Sequence, residues 1–230
     1  GVDTVTGRRL ILGNADVRIS YVVSDTPSPF YRNGIGDECV FVQSGAARVE
    51  TVFGGFDLAA GDYLVIPRAT THRWVAGDGE PLRAYCIEAN SHIAPPQHYL
   101  SKYGQLLEHA PYCERDLRPP AELITEEFPE GDYLVQVKKE GFLHQLTYAH
   151  CPFDVVGWDG YFYPYAFSIH DFEPITGRLH QPPPVHQTFE GHNYVICSFV
   201  PRLFDYHPLA IPAPYNHANV DSDEVLYYVA

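Results

Sequence analysis

Residues 61–72 read Gly-Asp-Tyr-Leu-Val-Ile-Pro-Arg-Ala-Thr-Thr-His. The order of residue types in this stretch predicts its local structure. Gly61 suits a turn, because glycine adopts backbone conformations that other residues avoid. The apolar run 63–66 is typical of a buried strand, and Pro67 ends it because proline has no backbone N–H to donate. His72 follows five residues after Pro67. We therefore predict a turn, a buried strand and then a histidine.

The same alternation of strands and turns extends in both directions from this stretch. Polar and apolar side chains alternate in residues 16–21 and 47–53, as expected of half-buried strands. Further strands are predicted at residues 38–43, 82–87, 133–137, 142–148 and 194–199, and a last one begins at Val225. The 20 prolines, 18 glycines, 17 tyrosines and 13 phenylalanines favour many short strands over helices. The predicted fold class is all-β, a sandwich or barrel.

Composition excludes several classes of partner. The formal net charge of the 230 residues is −14 and no Lys/Arg cluster stands out, so a nucleic acid would be repelled. No apolar stretch approaches the ~18 residues that a membrane span needs. Five scattered cysteines without a CxxC motif predict free thiols in a reducing cytoplasm.

Residues 91–120 interrupt the strand pattern and contain two Pro-Pro pairs. They predict a linker or covering segment, with a candidate short helix at 99–109. We therefore expect an N-terminal domain at 1–115 and a C-terminal domain at 116–230. The sequence has no methionine, even at position 1, so we expect the start of the protein to lie upstream.

The opening stretch resembles the second motif of the cupin superfamily, in which a glycine, a proline and a histidine have the spacing of Gly61, Pro67 and His72. Ala69 stands where that motif usually has glycine. The resemblance implies a double-stranded β-helix (jelly-roll) barrel, with His72 directed into its mouth.

The first cupin motif, HxH followed by a glutamate and a glycine, is only half present upstream. Glu38 and Gly45 match its last two positions, whereas Tyr31 and Asn33 occupy the two histidine positions. A catalytic metal normally needs at least three protein ligands. We therefore expect a first barrel without a full metal site, and a packed or hydrogen-bonded role for His72.

The end of the chain fits the first motif better. His217, Asn219 and Glu224 form HxNx4E, in which Asn219 is a poor metal ligand. One histidine and one carboxylate, joined by a second histidine, would make the facial triad of non-haem Fe(II) oxygenases. That second histidine is expected beyond Ala230, after a glycine at position 231. The alternative is a turn histidine and an acid at the entry to a strand.

The second half of the chain resembles the homogentisate 1,2-dioxygenases, and in particular their shorter bacterial branch. The resemblance also covers residues 14–74 and 89–92. In the second half it rests on five segments in order, PFDVVGWDGYFYPY (152–165), PITG (174–177), LHQPPPVH (179–186), FVPR (199–202) and YNH (215–217).

This resemblance implies an all-β bicupin of two jelly-roll barrels, the second incomplete in this chain. It implies an enzyme of tyrosine and phenylalanine catabolism that opens homogentisate with Fe(II) and dioxygen to give maleylacetoacetate. His217 and Glu224 match two of the family's iron ligands. His180 matches the family's catalytic acid/base, and His186 is the alternative residue for that position. The family also suggests a homo-oligomer.

The proposed chemistry suits these residue types. Homogentisate is a hydroquinone whose hydroxyls titrate near ~10, by analogy with tyrosine, so a base must take a proton at neutral pH. A histidine with a pKa near ~6.5 can accept it. Two alternatives stay open. One is a sister dioxygenase acting on gentisate or another hydroquinone acid. The other is a non-catalytic, metal-free bicupin that binds small molecules or serves as an assembly scaffold.

Overall fold

The structure is a computed structural model that describes residues 1–77, 79–125, 128–153, 162–176, 183–201, 206–209 and 218–229. Within these ranges the regular structure consists of β-strands and four single-turn 3-10 helices, which confirms the predicted all-β class. The 3-10 helices are Gln97–Tyr99, Glu114–Asp116, Ile169–Asp171 and Pro183–His186. No helix in the described ranges is long and apolar enough to cross a membrane.

Fourteen strands are present in the described part of the chain. They are β1 Arg9–Gly13, β2 Val17–Ser24, β3 Phe30–Asn33, β4 Glu38–Ser44, β5 Ala46–Thr51, β6 Gly54–Ala59, β7 Asp62–Ile66, β8 His72–Ala76, β9 Leu82–Ala89, β10 Tyr133–Lys139, β11 Phe142–Tyr148, β12 Tyr165–Ser168, β13 Gln187–Gly191 and β14 Tyr194–Cys197. The predicted strands at 16–21, 38–43, 47–53, 63–67, 82–87, 133–137, 142–148 and 194–199 overlap β2, β4, β5, β7, β9, β10, β11 and β14.

The strands form two six-stranded sheets and one hairpin. One sheet has the order β1-β2-β9-β4-β7-β12 and the other β11-β10-β3-β8-β5-β6, while β13 and β14 pair with each other. Among the strands that the structure describes, every pairing is antiparallel except that of β10 with β3. This two-sheet sandwich agrees with the cupin-type barrel that the sequence predicts.

The space between the sheets is filled by alternate side chains of the central strands. Val40, Leu64 and Trp74 are at most 2% exposed and belong to one cluster with residues of both sheets. Because strand side chains alternate between faces, Cys39 and Phe41 point to the outer face of their sheet. They are nevertheless buried, which explains why residues 39–42 of β4 are all apolar.

The outer face of the first sheet is covered by residues 91–120 and by the β13–β14 hairpin. Ile93, Tyr112, Phe189 and Ile196 pack there in one cluster. The covering role predicted for 91–120 is therefore confirmed. The helix predicted at 99–109 is wrong. The hydroxyl of Ser101 accepts hydrogen bonds from the N–H groups of residues 103 and 105, both at 3.2 Å, and so stabilises a turn instead.

Strands that follow residue 115 extend the first two sheets. β10 pairs with β3, and β12 pairs with β7. In the described part of the chain only the β13–β14 hairpin forms a sheet of its own. The domain boundary at 115/116 and the second barrel stay predictions.

The strand predicted to begin at Val225 is wrong, because residues 224–229 have no regular secondary structure. Tyr227 instead packs on the outer face of the first sheet. Its ring stacks on Tyr85 with centroids 4.4 Å apart, and its hydroxyl donates to Gln43 Oε1 at 2.5 Å. Side-chain packing rather than backbone pairing thus holds this segment.

Two backbone positions shape the stretch that precedes His72. Gly61 has φ +92° and donates its N–H to the carbonyl of Val42 at 2.8 Å. Ala69 has φ +65°, in the left-handed region that favours glycine, and donates to the carbonyl of Asn33 at 2.7 Å. The turn that usually carries glycine is therefore made here by alanine with the same backbone conformation.

Candidate functional site

The two cupin-like motifs in the first half of the chain together have four positions where metal ligands would stand. The residues at these positions, Tyr31, Asn33, Glu38 and His72, lie close together in the structure. Tyr31 and Asn33 are two residues apart on β3 and so face the same side of the sheet. Glu38 begins β4, and His72 begins β8 directly opposite Tyr31. All four side chains are buried, with Glu38 1% and His72 0% exposed. We call them, together with Arg8, Glu88 and Lys138, the first-barrel cluster.

Glu38 lies at the centre of the first-barrel cluster. The hydroxyl of Tyr31 donates to Glu38 Oε1 at 2.7 Å, and the amide of Asn33 donates to the same oxygen at 2.9 Å. The residues that replace the two histidines therefore act as hydrogen-bond donors to the carboxylate.

The other oxygen of Glu38 accepts a hydrogen bond from Arg8, a residue that no sequence motif singles out. Arg8 Nη2 lies 2.9 Å from Glu38 Oε2, and both side chains are almost completely buried. Arg8 Nη1 is 3.3 Å from Glu88 Oε1, and the same oxygen lies 2.5 Å from Lys138 Nζ. The positive charges of Arg8 and Lys138 thus neutralise the negative charges of Glu38 and Glu88 inside the sandwich.

A tight turn presents Arg8 to the interior. The Asp3 carboxylate accepts hydrogen bonds from the N–H groups of Val5 and Thr6, each at 2.8 Å. Arg8 Nε donates to the carbonyl of Thr4 at 2.8 Å, which fixes the direction of the side chain. No recognised motif marks an arginine in this position, so sequence reasoning missed it.

Burial and neighbouring charges determine the protonation states of Glu38 and Tyr31 in the first-barrel cluster. Burial alone would raise the pKa of Glu38, but the charge and the hydrogen bond of Arg8 outweigh burial and lower it to about 2. Burial and the neighbouring Glu38 charge both raise the pKa of Tyr31. Glu38 is therefore ionised at neutral pH, and Tyr31 stays a protonated donor rather than a phenolate.

His72 is neutral in this environment. Burial lowers its pKa more than the charge of Glu38 raises it. Nδ1 donates to the carbonyl of Thr70 at 3.0 Å, and the ring meets Tyr31 edge-on at 5.3 Å. Nε2 is buried without a hydrogen bond among the described residues. The packed role expected for His72 agrees with these contacts.

The first-barrel cluster does not fit a metal ion. One Glu38 oxygen receives two donors and the other faces a guanidinium, so the cation position is already filled by protein. Across the ranges that the structure covers, no group of three or more His, Cys, Asp or Glu side chains could hold a metal.

The second candidate site is only partly covered by the structure. His217, predicted as an iron ligand, and His180, predicted as the acid/base, lie outside the described residues. Glu224 is described and exposed. Asn219 Nδ2 donates to Glu224 Oε2 at 2.8 Å, so the residue at the non-ligand position holds the carboxylate.

The motif at residues 31–38 contains an equivalent hydrogen bond. Asn33 and Glu38 are five residues apart and are joined at 2.9 Å, and Asn219 and Glu224 have the same spacing and the same donor. The chain therefore makes one local arrangement twice, with different neighbours.

Glu224 also lies within electrostatic reach of the β13–β14 hairpin. Burial raises the pKa of the Cys197 thiol to about 11, and the charge of Glu224 adds to that shift. His186, the rival to His180, is buried next to this hairpin. Its ring packs on Phe199 with centroids 4.5 Å apart, and its carbonyl accepts from the N–H of Ser198.

Comparison with known proteins identifies relatives across most of the chain. A family model described as "Homogentisate 1,2-dioxygenase N-terminal" matches residues 6–169. A protein of Saccharolobus solfataricus named "Putative dioxygenase" is 41% identical over 228 residues, which are 98% of this chain and 58% of that protein. The homogentisate 1,2-dioxygenase of Emericella nidulans is 23% identical, over 96% of this chain and 52% of that protein.

Further relatives cover less of the chain. The homogentisate 1,2-dioxygenase of Bradyrhizobium diazoefficiens is 31% identical over 64% of this chain and 31% of its own length. Among solved structures, a cupin-2 domain protein from Shewanella frigidimarina matches 36% of this chain and 80% of its own at 23% identity, with a TM-score of 0.33. The chain thus spans between about a third and three fifths of the length of these curated relatives.

Proposed function

This chain belongs to the homogentisate 1,2-dioxygenase family of the cupin superfamily, and we propose that the protein is an Fe(II)-dependent ring-cleaving dioxygenase. The proposed substrate is homogentisate, opened with dioxygen to maleylacetoacetate. The observation that carries this proposal is the family match over residues 6–169. Because the chain spans only 58% of its dioxygenase relative from Saccharolobus, the activity is proposed for the whole protein.

We propose His217 and Glu224 as two of the iron ligands. A neutral imidazole and a carboxylate suit Fe(II), and two histidines with one carboxylate leave coordination positions open. When bound, iron acts as a Lewis acid that orients the substrate and dioxygen. The hydrogen bond from Asn219 supports the proposed role of Glu224, because it orients the carboxylate.

His180 is proposed to take the proton of a substrate hydroxyl. An imidazole with an ordinary pKa near ~6.5 accepts a proton at neutral pH, whereas the hydroxyl retains it up to about pH 10. Removal of this proton makes the ring more electron-rich and the oxygen a better ligand. His186 is a less suitable base, because it is buried against Phe199.

Oxygen uptake tests the function directly. The full-length protein is loaded with Fe(II) under anaerobic conditions and then given oxygenated buffer with homogentisate or, separately, gentisate. Faster uptake with homogentisate and formation of a ring-opened product are expected. Preference for gentisate would assign the sister activity, and absence of uptake with both would reject the dioxygenase.

Paired substitutions test the roles of the residues. Glu224→Ala is expected to lose bound iron, whereas Asp223→Ala, its exposed neighbour, should retain it. His180→Ala should bind iron and lose turnover, whereas the exposed His192→Ala should keep both. Iron retained by Glu224→Ala at the wild-type level would remove Glu224 from the ligand set.

A further inference from the structure

The first-barrel cluster places a protein cation against the carboxylate at its centre. Tyr31, Asn33, Glu38 and His72 occupy the four positions of a cupin metal set, and they converge in space. The group that faces Glu38 from the remaining direction is the guanidinium of Arg8, at 2.9 Å.

The surroundings of the Arg8 guanidinium match its shape and charge. Its three nitrogens reach three different oxygens, which are Glu38 Oε2, Glu88 Oε1 and the carbonyl of Thr4. Its carbon lies 5.5 Å from the centroid of the Tyr31 ring, within the range of a cation–π contact. A planar ion with several fixed donors can satisfy this set of acceptors, which a spherical ion cannot do in the same way.

We propose that Arg8 is a built-in replacement for the metal of the first barrel and that its side chain occupies a guanidinium-binding site. Truncation of Arg8 should therefore leave a pocket that takes free guanidinium. The same pocket should not take a divalent cation. Glu38 and His72 alone provide two ligands, and the protonated Tyr31 and the Asn33 amide provide donors instead of ligands.

The consequence for Arg8→Ala is a buried carboxylate without its counter-ion. Breaking a buried ion pair from one side is strongly destabilising, and we expect a loss of roughly 10 °C in Tm. Millimolar guanidinium chloride, far below denaturing concentrations, should restore at least half of that loss. Sodium chloride should not, and neither should urea, which has a similar planar shape without the charge.

Arg48→Ala is the matched control. Arg48 is only partly buried and pairs with the exposed Asp57 and Glu122, at 3.3 Å and 2.7 Å. It also lies 3.7 Å from the buried Glu50, which keeps Arg73 as its partner when Arg48 is truncated. Its loss should change Tm by a few degrees at most, without rescue by guanidinium. Millimolar guanidinium should likewise leave the Tm of the wild-type protein unchanged, because the Arg8 side chain already occupies the pocket.

The double variant Arg8→Ala/Glu38→Gln keeps the proposal testable if Arg8→Ala alone does not fold. Neutralisation of Glu38 removes the unpaired charge, so the double variant should be more stable than Arg8→Ala and insensitive to guanidinium. Additive losses from the two substitutions would overturn the proposal. So would rescue of Arg8→Ala by urea, or by Mn²⁺, Co²⁺ or Zn²⁺ in place of guanidinium.

Discussion

Arg8 and Glu38, 30 residues apart in the chain, form an ion pair of 2.9 Å whose side chains are 8% and 1% exposed. The pair joins the N-terminal turn to the centre of the first sheet. It also fills the interior of a barrel whose motif residues would otherwise present an uncompensated carboxylate. The stability of the fold should therefore respond to the charge of this pair.

Acid should destabilise the protein through Glu38. Its pKa is lowered from the ordinary 4.5 to about 2, so its contribution is complete above pH 4.5 and is lost as the pH falls towards 2. The loss should be on the order of 3 kcal/mol. Urea unfolding across this range measures it. Glu38→Gln should flatten the pH dependence, whereas Asp57→Asn, at an exposed carboxylate, should leave it unchanged.

His72 should add a second pH dependence at higher pH. Burial lowers its pKa from the ordinary 6.5, so the unfolded chain binds this proton more readily than the folded one. Stability should fall as the pH drops below 6.5, by up to ~1.4 kcal/mol per pH unit. His72→Gln should remove this slope in urea titrations, and the exposed His192→Gln should not. Equal slopes in the two variants would contradict the buried neutral state of His72.

Gly61 should tolerate substitution less well than another glycine with positive φ. Gly61→Ala adds a Cβ only 2.8 Å from His170 Nε2 at φ +92°, whereas a Cβ at Gly104, at φ +85°, meets nothing within 4 Å. Gly104→Ala should lose about 1 kcal/mol from the backbone alone, and Gly61→Ala slightly more, because the exposed His170 ring and the Ile169 methyl at 3.3 Å must shift. Thermal unfolding tests this difference. It should shrink when His170→Ala is combined with Gly61→Ala.

Ala69→Gly should stabilise the protein. Ala69 is exposed and has φ +65°, so glycine would relieve backbone strain without loss of packing. The relief of ~1–2 kcal/mol is partly offset by the greater freedom of glycine in the unfolded chain, which leaves a gain of about 0.5–1 kcal/mol. Ala46→Gly, at an exposed strand position, should instead lose a similar amount. A lower urea midpoint for Ala69→Gly would be inconsistent with strain at this position.

Asn219→Ala should weaken iron binding if the proposed ligand role of Glu224 holds. The amide of Asn219 orients the carboxylate through Oε2, and loss of such a supporting hydrogen bond typically lowers metal affinity ~10–100-fold. Anaerobic Fe(II) titration of the full-length protein provides the measurement. Asn14→Ala is the control, because Asn14 contacts the neighbouring Asp223 at 3.5 Å instead. Similar affinities for both variants would show that Asn219 does not position Glu224.

Most strands could be predicted because their side chains follow simple patterns. Residues 38–43 are predominantly apolar and residues 16–21 alternate between polar and apolar, and both patterns correspond to strands in the structure. Two local predictions were wrong for physical reasons. The segment at 99–109 forms a turn because Ser101 binds nearby backbone N–H groups, and the segment at Val225 is held by the Tyr227 side chain. Neither contact has a distinctive sequence pattern.

The sequence could predict those site residues that a motif defines by their spacing along the chain. The spacing of Tyr31, Asn33 and Glu38 indicated a barrel without a full metal set, and HxNx4E singled out Glu224. The placement of His217 and His180 lies outside the described residues, so their roles stay predictions. Contacts between distant segments were not predictable, and Lys138 illustrates this, because it reaches Glu88 from a strand 50 residues away.

The sequence by itself determined the strand pattern, the family and the absence of two histidines from the first motif, because each depends on residue type and local spacing. Only the tertiary structure decided what stands in their place. Packing brings Arg8 against Glu38 because a buried carboxylate requires a counter-charge, and the same guanidinium also reaches Glu88 and the carbonyl of Thr4. Local sequence does not specify which cation this is, because the two residues meet only after both sheets have assembled.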